Sequence, residues 1–187
     1  GMPAETPPVE LRRPARWGTV AASVLFAVVL VNWSWHLQPF RYTSDFYDVQ
    51  ARRLFHGHLT VPLDRIGLEA FRHDGHVHLY FGIFPTILRM PLLLVTDRFD
   101  GRLTQPSMAL AWGVLLVAVR GLTWRTRVLV RGGVDECAVD RVDRVVTTLA
   151  PVLVAAATPV LFLASVTAVY HEAILWGLAA SLLAFDR

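Results

Sequence analysis

Lysine is absent. All 18 basic side chains of this 187-residue chain are arginine, and against 15 Asp and Glu they leave a net charge of only +3. The arginines are scattered, whereas a nucleic-acid binder gathers its cations into one patch or stripe, so no nucleic acid is expected as a partner. Cysteine is nearly absent too. The single Cys137 excludes an intramolecular disulfide framework, and there is no CxxC pair to hold a metal. Charge of either sign is scarce: 18% of the chain, where a soluble domain carries about a quarter. Hydrophobic residues make up 54% instead, mean hydropathy is +0.44, and the apolar residues are bunched into long runs. This excludes a disordered tail and a small disulfide scaffold, and points to an integral membrane protein.

The runs set out the organisation. Residues 1–16 form a Pro- and Arg-rich tail with Arg12, Arg13 and Arg16 before an uncharged run, Trp17 to Trp35. That run, followed by His36 at its end, is expected as a first span over 17–36, with Trp33 and Trp35 at the interface and the N-terminus in the cytoplasm. Residues 37–103 mix charges with one apolar stretch, Phe81–Thr96, which holds Pro85, Pro91 and a central Arg89. It reads either as a poor span or as a helix at the interface. Two better spans follow at 104–123 and 145–169, the second with no charge at all. The 124–144 segment between them carries Arg125, Arg127, Arg131, Arg141 and Arg144, so it is expected in the cytoplasm. Laying 81–96 flat keeps this loop on the same side as the N-terminus, and that order is preferred. The last part, 170–187, is expected as an outer turn and a short, incomplete fourth helix. The expected fold is thus all-α: a polytopic transmembrane bundle with juxtamembrane helices in a long first outer loop, in the cell membrane.

The chemistry is sought in that first loop. Ser44 is a plausible N-cap for a helix carrying Phe46, Val49, Ala51, Leu54 and Phe55 and stopped by Gly57. Asp45 and Asp48, three residues apart, share a face of it. One reading makes them complements of the helix N-terminus, with Asp48 paired to Arg52 at i,i+4. The other makes one of them a base for an incoming hydroxyl at the membrane surface.

The sequence from Ser44 to Arg52, Ser-Asp-Phe-Tyr-Asp-Val-Gln-Ala-Arg, stands just beyond a first span. It resembles the first outer loop of the GT-C family of membrane glycosyltransferases. The Tyr80–Pro91 stretch is similar to the Pro-containing juxtamembrane segment of that loop, and an apolar helix running up to the acidic Glu172 also fits. The resemblance runs from Arg16 to the end of the chain, the N-terminal part of such an enzyme. It implies transfer of a sugar from a polyprenyl-phosphate carrier to a cell-envelope acceptor, with Asp45 or Asp48 as the base. It also makes Arg52, Arg53 and Arg89 candidates for the lipid phosphate, because a guanidinium matches phosphate geometry. His171 and Glu172 become candidates for a divalent metal ion or the acceptor.

His56, His58, His73, His76 and His78 lie in the same loop, but scattered His without Cys has no fixed metal geometry. The spans carry no charged residue near their centres, which argues against an ion-coupled transporter. The alternative to an enzyme is a non-catalytic membrane subunit or fragment that packs against a partner protein through small residues such as Ala155, Ala164 and Ser165.

Overall fold

In the computed structural model, residues 7–31, 45–131 and 139–186 are described. Trp33, Trp35, His36 and Ser44 lie outside them. The chain is mostly helical: α1 Val9–Leu30, α2 Phe46–Phe55, α3 Leu63–Ile66, α4 Phe84–Leu93, α5 Thr104–Val130, α6 Arg141–Ala156, α7 Pro159–Ser165 and α8 Val169–Phe185.

The long helices form a bundle. α1 packs along α6, and α5 packs along α8 and α6. Its core is Phe26 and Leu30 of α1, Met108, Trp112 and Leu115 of α5, Ala155 of α6, Val160 of α7, and Leu175 and Trp176 of α8. Phe26 stacks on Trp112 with ring centroids 4.7 Å apart, and the Trp112 indole donates to Ser23 Oγ at 3.3 Å. The Gln105 amide at the start of α5 donates to the Leu30 carbonyl at the end of α1. Arg127 and Arg131 at the other end of α5 meet Asp140 and Asp143 at the start of α6. So α1 and α6 both begin at one end of the bundle, which is rich in arginine. The second end carries α2, α3 and α4.

α5 is the one described helix long and apolar enough, taken alone, to cross a membrane. The expected third span over 145–169 is not one helix. It is broken between α6 and α7, with a bend of 50°. Thr158 caps α7 through its hydroxyl, which accepts from Val160 N–H, and Pro159 stands at the first helical position, where its missing N–H costs nothing. The pair α6 and α7 together is long and apolar enough for one bent crossing. α6 also begins earlier than expected, at Arg141, behind a reciprocal capping box between Asp140 and Asp143. The loop expected over 124–144 therefore shrinks, since α5 continues through Arg125 and Arg127. Likewise Tyr170, His171 and Glu172 are not a turn but the first turn of α8, and Arg12, Arg13 and Arg16 belong to α1.

The stretch 81–96 forms the ten-residue α4, about 15 Å long, which lies against α2 and α8 rather than running the length of the bundle. The expected all-α chain also contains a hairpin, β1 Ala70–His73 with β2 His76–Leu79. Asp74 and Gly75 between the strands both take positive φ, 48° and 76°, the two-residue turn whose twist matches paired strands. α2 stops as expected. Gly57 has φ 73°, its N–H bonds the Leu54 carbonyl, and His58 N–H bonds the Arg53 carbonyl, which satisfies the last carbonyls of the helix.

At Gly18 the α1/α6 contact admits no side chain, because a Cβ there would stand 2.1 Å from the Thr148 carbonyl oxygen. Gly18→Ala is expected to lower stability by about 1–3 kcal/mol through overpacking. Thermal unfolding of the purified protein measures it. Gly113→Ala is the control, since a Cβ there meets nothing within 4 Å, and it should not lower the midpoint.

Candidate functional site

α2 is fixed on the second end of the bundle by its own apolar residues. Phe46 and Tyr47 are buried with Val61, Ile66, Leu79 and Val169, while Ala51 packs with Leu93 and Leu103. That packing turns Asp48 inward. α4 starts at Phe84 with Pro85 in its first turn, and its inward side carries Thr86 and Arg89, both buried. The Thr86 hydroxyl donates to Gln50 Oε1 at 2.5 Å, tying α4 to α2.

Arg89 is the centre of the arrangement. Its Nη1 donates to Asp48 Oδ1 at 2.7 Å, and its Nη2 donates to Thr104 Oγ1 at 3.1 Å and to the Glu172 carboxylate. The guanidinium carbon lies 5.2 Å from the centre of the Tyr47 ring, within range of a cation–π attraction. Asp48 Oδ2 accepts Gly101 N–H at 2.7 Å. The Ser107 hydroxyl accepts from the Trp176 indole at 3.0 Å. All three charged side chains are at most 3% exposed.

Two carboxylates thus share one guanidinium; Gly101 N–H donates to Asp48, and the Thr104 hydroxyl accepts from Arg89. Buried charge is tolerated only when paired and hydrogen-bonded in this way. Burial pushes the Asp48 carboxyl above its ordinary range, against the pull of Arg89 and Gly101 N–H. Burial also disfavours the Arg89 cation, but Glu172 and Asp48 outweigh it and hold Arg89 above the usual arginine range.

Asp45 sits differently. Its carboxylate keeps 23% side-chain exposure and faces Arg65 at 3.3 Å. Partial burial raises its pKa, opposed mainly by Arg65. It is the residue before α2 and makes no side-chain cap to the helix. Asp48 does not pair with Arg52, as the i,i+4 spacing would suggest. Arg52 instead grips Asp100 through two nitrogens, at 2.7 and 3.2 Å, and reaches Asp97 at 2.7 Å. Arg53 donates to the Thr60 carbonyl and hydroxyl at 3.0 and 3.2 Å.

The chain matches no protein-family model, no curated protein and no solved structure.

The structure brings Asp48, Arg89 and Glu172 together and leaves His171 out. His171 Nδ1 lies 2.7 Å from the Val166 carbonyl, and its ring leans on Phe162. Consecutive helical residues point different ways, so His171 and Glu172 do not form one site. Among the described residues no group of three His, Cys, Asp or Glu side chains is placed to hold a metal ion. Arg89 is held by acids on both sides instead of standing open to a phosphate.

Sequence reasoning missed several partners. Thr104, Ser107, Gln50 and Thr86 are small polar residues in apolar surroundings, and no spacing rule marks them. Glu69 was missed as well. It accepts from the Tyr80 hydroxyl at 2.5 Å and from the Tyr170 hydroxyl, and these two bonds hold its carboxyl below the usual range. One signal was present: an Arg in the middle of the apolar 81–96 stretch demands a buried partner.

Proposed function

We propose that this chain is the N-terminal region of a polytopic membrane glycosyltransferase that moves a sugar from a polyprenyl-phosphate carrier to a cell-envelope acceptor. The observation that carries the reading is the division of labour between the two acids of one short helix. Asp48 is buried and committed to Arg89, while Asp45, three residues earlier, keeps solvent access; burial raises both carboxyls, so access is what separates them. A general base has to reach its proton and works best with a pKa nearer the working pH than that of an ordinary carboxylate. Asp45 is therefore the base. The Asp48–Arg89–Glu172 cluster ties α2, α4 and α8 together and holds Asp45 in place.

In this reaction Asp45 takes the proton from the acceptor hydroxyl as its oxygen attacks the anomeric carbon. The bond from that carbon to the phosphate oxygen breaks, and polyprenyl phosphate leaves as an anion. Developing charge on the phosphate calls for a cation. Of the three candidate arginines, Arg52 has 35% side-chain exposure, and its partners Asp97 and Asp100 lie on the surface. Arg52 is the exposed candidate for the phosphate, which would have to take the place of Asp97 and Asp100 on its guanidinium, and Arg53 supports the same turn of α2. In the membrane, the uncharged part of α1 from Trp17 on, α5, the bent α6–α7 pair and α8 serve as spans. The α2–α4 layer lies on the outer face, and the N-terminus is cytoplasmic. The test of the reaction is transfer of labelled sugar from a polyprenyl-phosphate donor by membranes holding the full-length protein, with Asp45 varied.

The topology has its own test. The native Cys137 falls in the arginine-rich segment, which is cytoplasmic in this arrangement. An impermeant thiol reagent added to intact cells should leave Cys137 unlabelled. It should label Asp74→Cys, at the hairpin tip, in a Cys137→Ser background. Labelling of Cys137 from outside would reverse the orientation.

A further inference from the structure

The arginine-rich end of the bundle carries a cleft that the catalytic reading does not use. It is shallow and open to the surroundings, formed along one face of α6 by Arg141, Arg144, Val145, Thr148 and Leu149. Thr148 is also where Gly18 of α1 makes its close approach. Arg12, Arg13 and Arg16, all exposed, stand on the turns of α1 just before that point.

The acids nearby are already committed. Asp143 is held by Arg127 at 2.9 Å and by Arg131 at 3.3 Å, and Asp140 is held by Arg131 at 2.6 Å. Arg144 has one long contact, 3.4 Å, to the Asp140 carbonyl. Glu10 is the acid on the first turn of α1. Beside the two cleft arginines, Val145 and Leu149 are exposed apolar side chains. Cationic and apolar side chains thus share one face of α6.

We propose that this cleft binds the headgroup of an anionic phospholipid. The Arg141 and Arg144 guanidinium groups would bond the phosphate, and the acyl chains would run along Val145 and Leu149. A free phosphate would satisfy the guanidinium groups but would have no use for the apolar side chains beside them, and a zwitterionic lipid would present a cationic group to the two arginines. The inference rests on the membrane reading of the chain but not on sugar transfer.

The experiment uses the full chain purified in detergent and exchanged into nanodiscs of phosphatidylcholine with a minority of phosphatidylglycerol. Lipid retained by the protein is read by native mass spectrometry. Wild type should retain phosphatidylglycerol preferentially. An arginine near an anionic surface is worth roughly fivefold. Arg141→Gln/Arg144→Gln should then lower that preference about 25-fold without changing thermal unfolding. Arg72→Gln/Arg102→Gln, the same charge change among exposed residues of the opposite end, should leave it intact. Equal retention of the two lipids by wild type would overturn the proposal, as would an equal loss in the two double variants. Displacement of phosphatidylglycerol by millimolar inorganic phosphate would also overturn it, because the site would then bind phosphate rather than lipid. Alkaline carbonate extraction tests the membrane reading separately: release of the chain from membranes would sink that premise, not the cleft alone.

Discussion

Asp45→Asn in the full-length protein is expected to reduce sugar transfer from a polyprenyl-phosphate donor by about 100- to 10,000-fold, the usual cost of removing a general base. The same change should barely alter the fold. Asp45 is partly exposed, makes no cap bond to α2, and meets Arg65 in a pair that is 58% exposed on the arginine side. Exposed ion pairs contribute only about 0–1 kcal/mol. Expression, membrane insertion and the unfolding midpoint should therefore match the parent. Asp48→Asn behaves in the opposite order. It removes a buried charge partner of Arg89, so it lowers stability first and activity as a consequence. Measuring both variants for transfer rate and for unfolding separates the two roles. A parental transfer rate in Asp45→Asn would refute its assignment as the base, and a parental rate in both variants would remove the case for a glycosyltransferase in this loop.

Arg89→Met should be the most destabilising single change in the chain. Taking one partner out of a buried ion pair costs about 3–5 kcal/mol, because the remaining charge is left uncompensated. Here two carboxylates, Asp48 and Glu172, lose the same cation. The variant is expected to unfold at much lower temperature in detergent or to fail to accumulate. The triple change Arg89→Met/Asp48→Leu/Glu172→Leu makes the interpretation firm. It removes every charge at once, and well-packed apolar replacements of buried ion clusters are often neutral or stabilising. Recovery of stability in the triple variant would show that the loss came from stranded carboxylates. A single Arg89→Met variant as stable as the parent would mean that the cluster does not hold α2, α4 and α8 together.

The parts of this arrangement that were legible from sequence are those with local causes. The start of α5 at Thr104 follows from an apolar run after a charged segment. The end of α2 follows from Gly57, which the closing turn requires in a left-handed conformation. α4 is only ten residues long, in keeping with the two prolines and the central arginine of its apolar stretch. The α6–α7 break was visible in principle at Thr158-Pro159, a capping residue followed by proline, but the uncharged run around it masked the signal. The hairpin has its local signal in the Asp74-Gly75 turn, but its strands are only four residues each and too short to stand out by hydropathy. The site was legible by residue type and not by pairing. The helical spacing of Asp48 and Arg52 suggested an ion pair, yet the packing of Phe46, Tyr47 and Ala51 turned Asp48 toward α4 instead. Arg52 was left to Asp97 and Asp100. Pairings such as Asp48 with Arg89 span tens of residues and depend on how separate helices dock, which no local pattern encodes.

The Asp48–Arg89–Glu172 cluster also has an order in time. Arg89 lies 41 residues after Asp48 and 83 before Glu172, so during synthesis the first two meet well before the third exists. The nascent layer of α2 and α4 carries one cation and one anion, a neutral pair able to close by itself. Glu172 arrives with α8 and adds a second negative charge that only the assembled cluster can shelter. α8 brings a charge that cannot stay buried alone, and its docking depends on a receptor built earlier by the first loop.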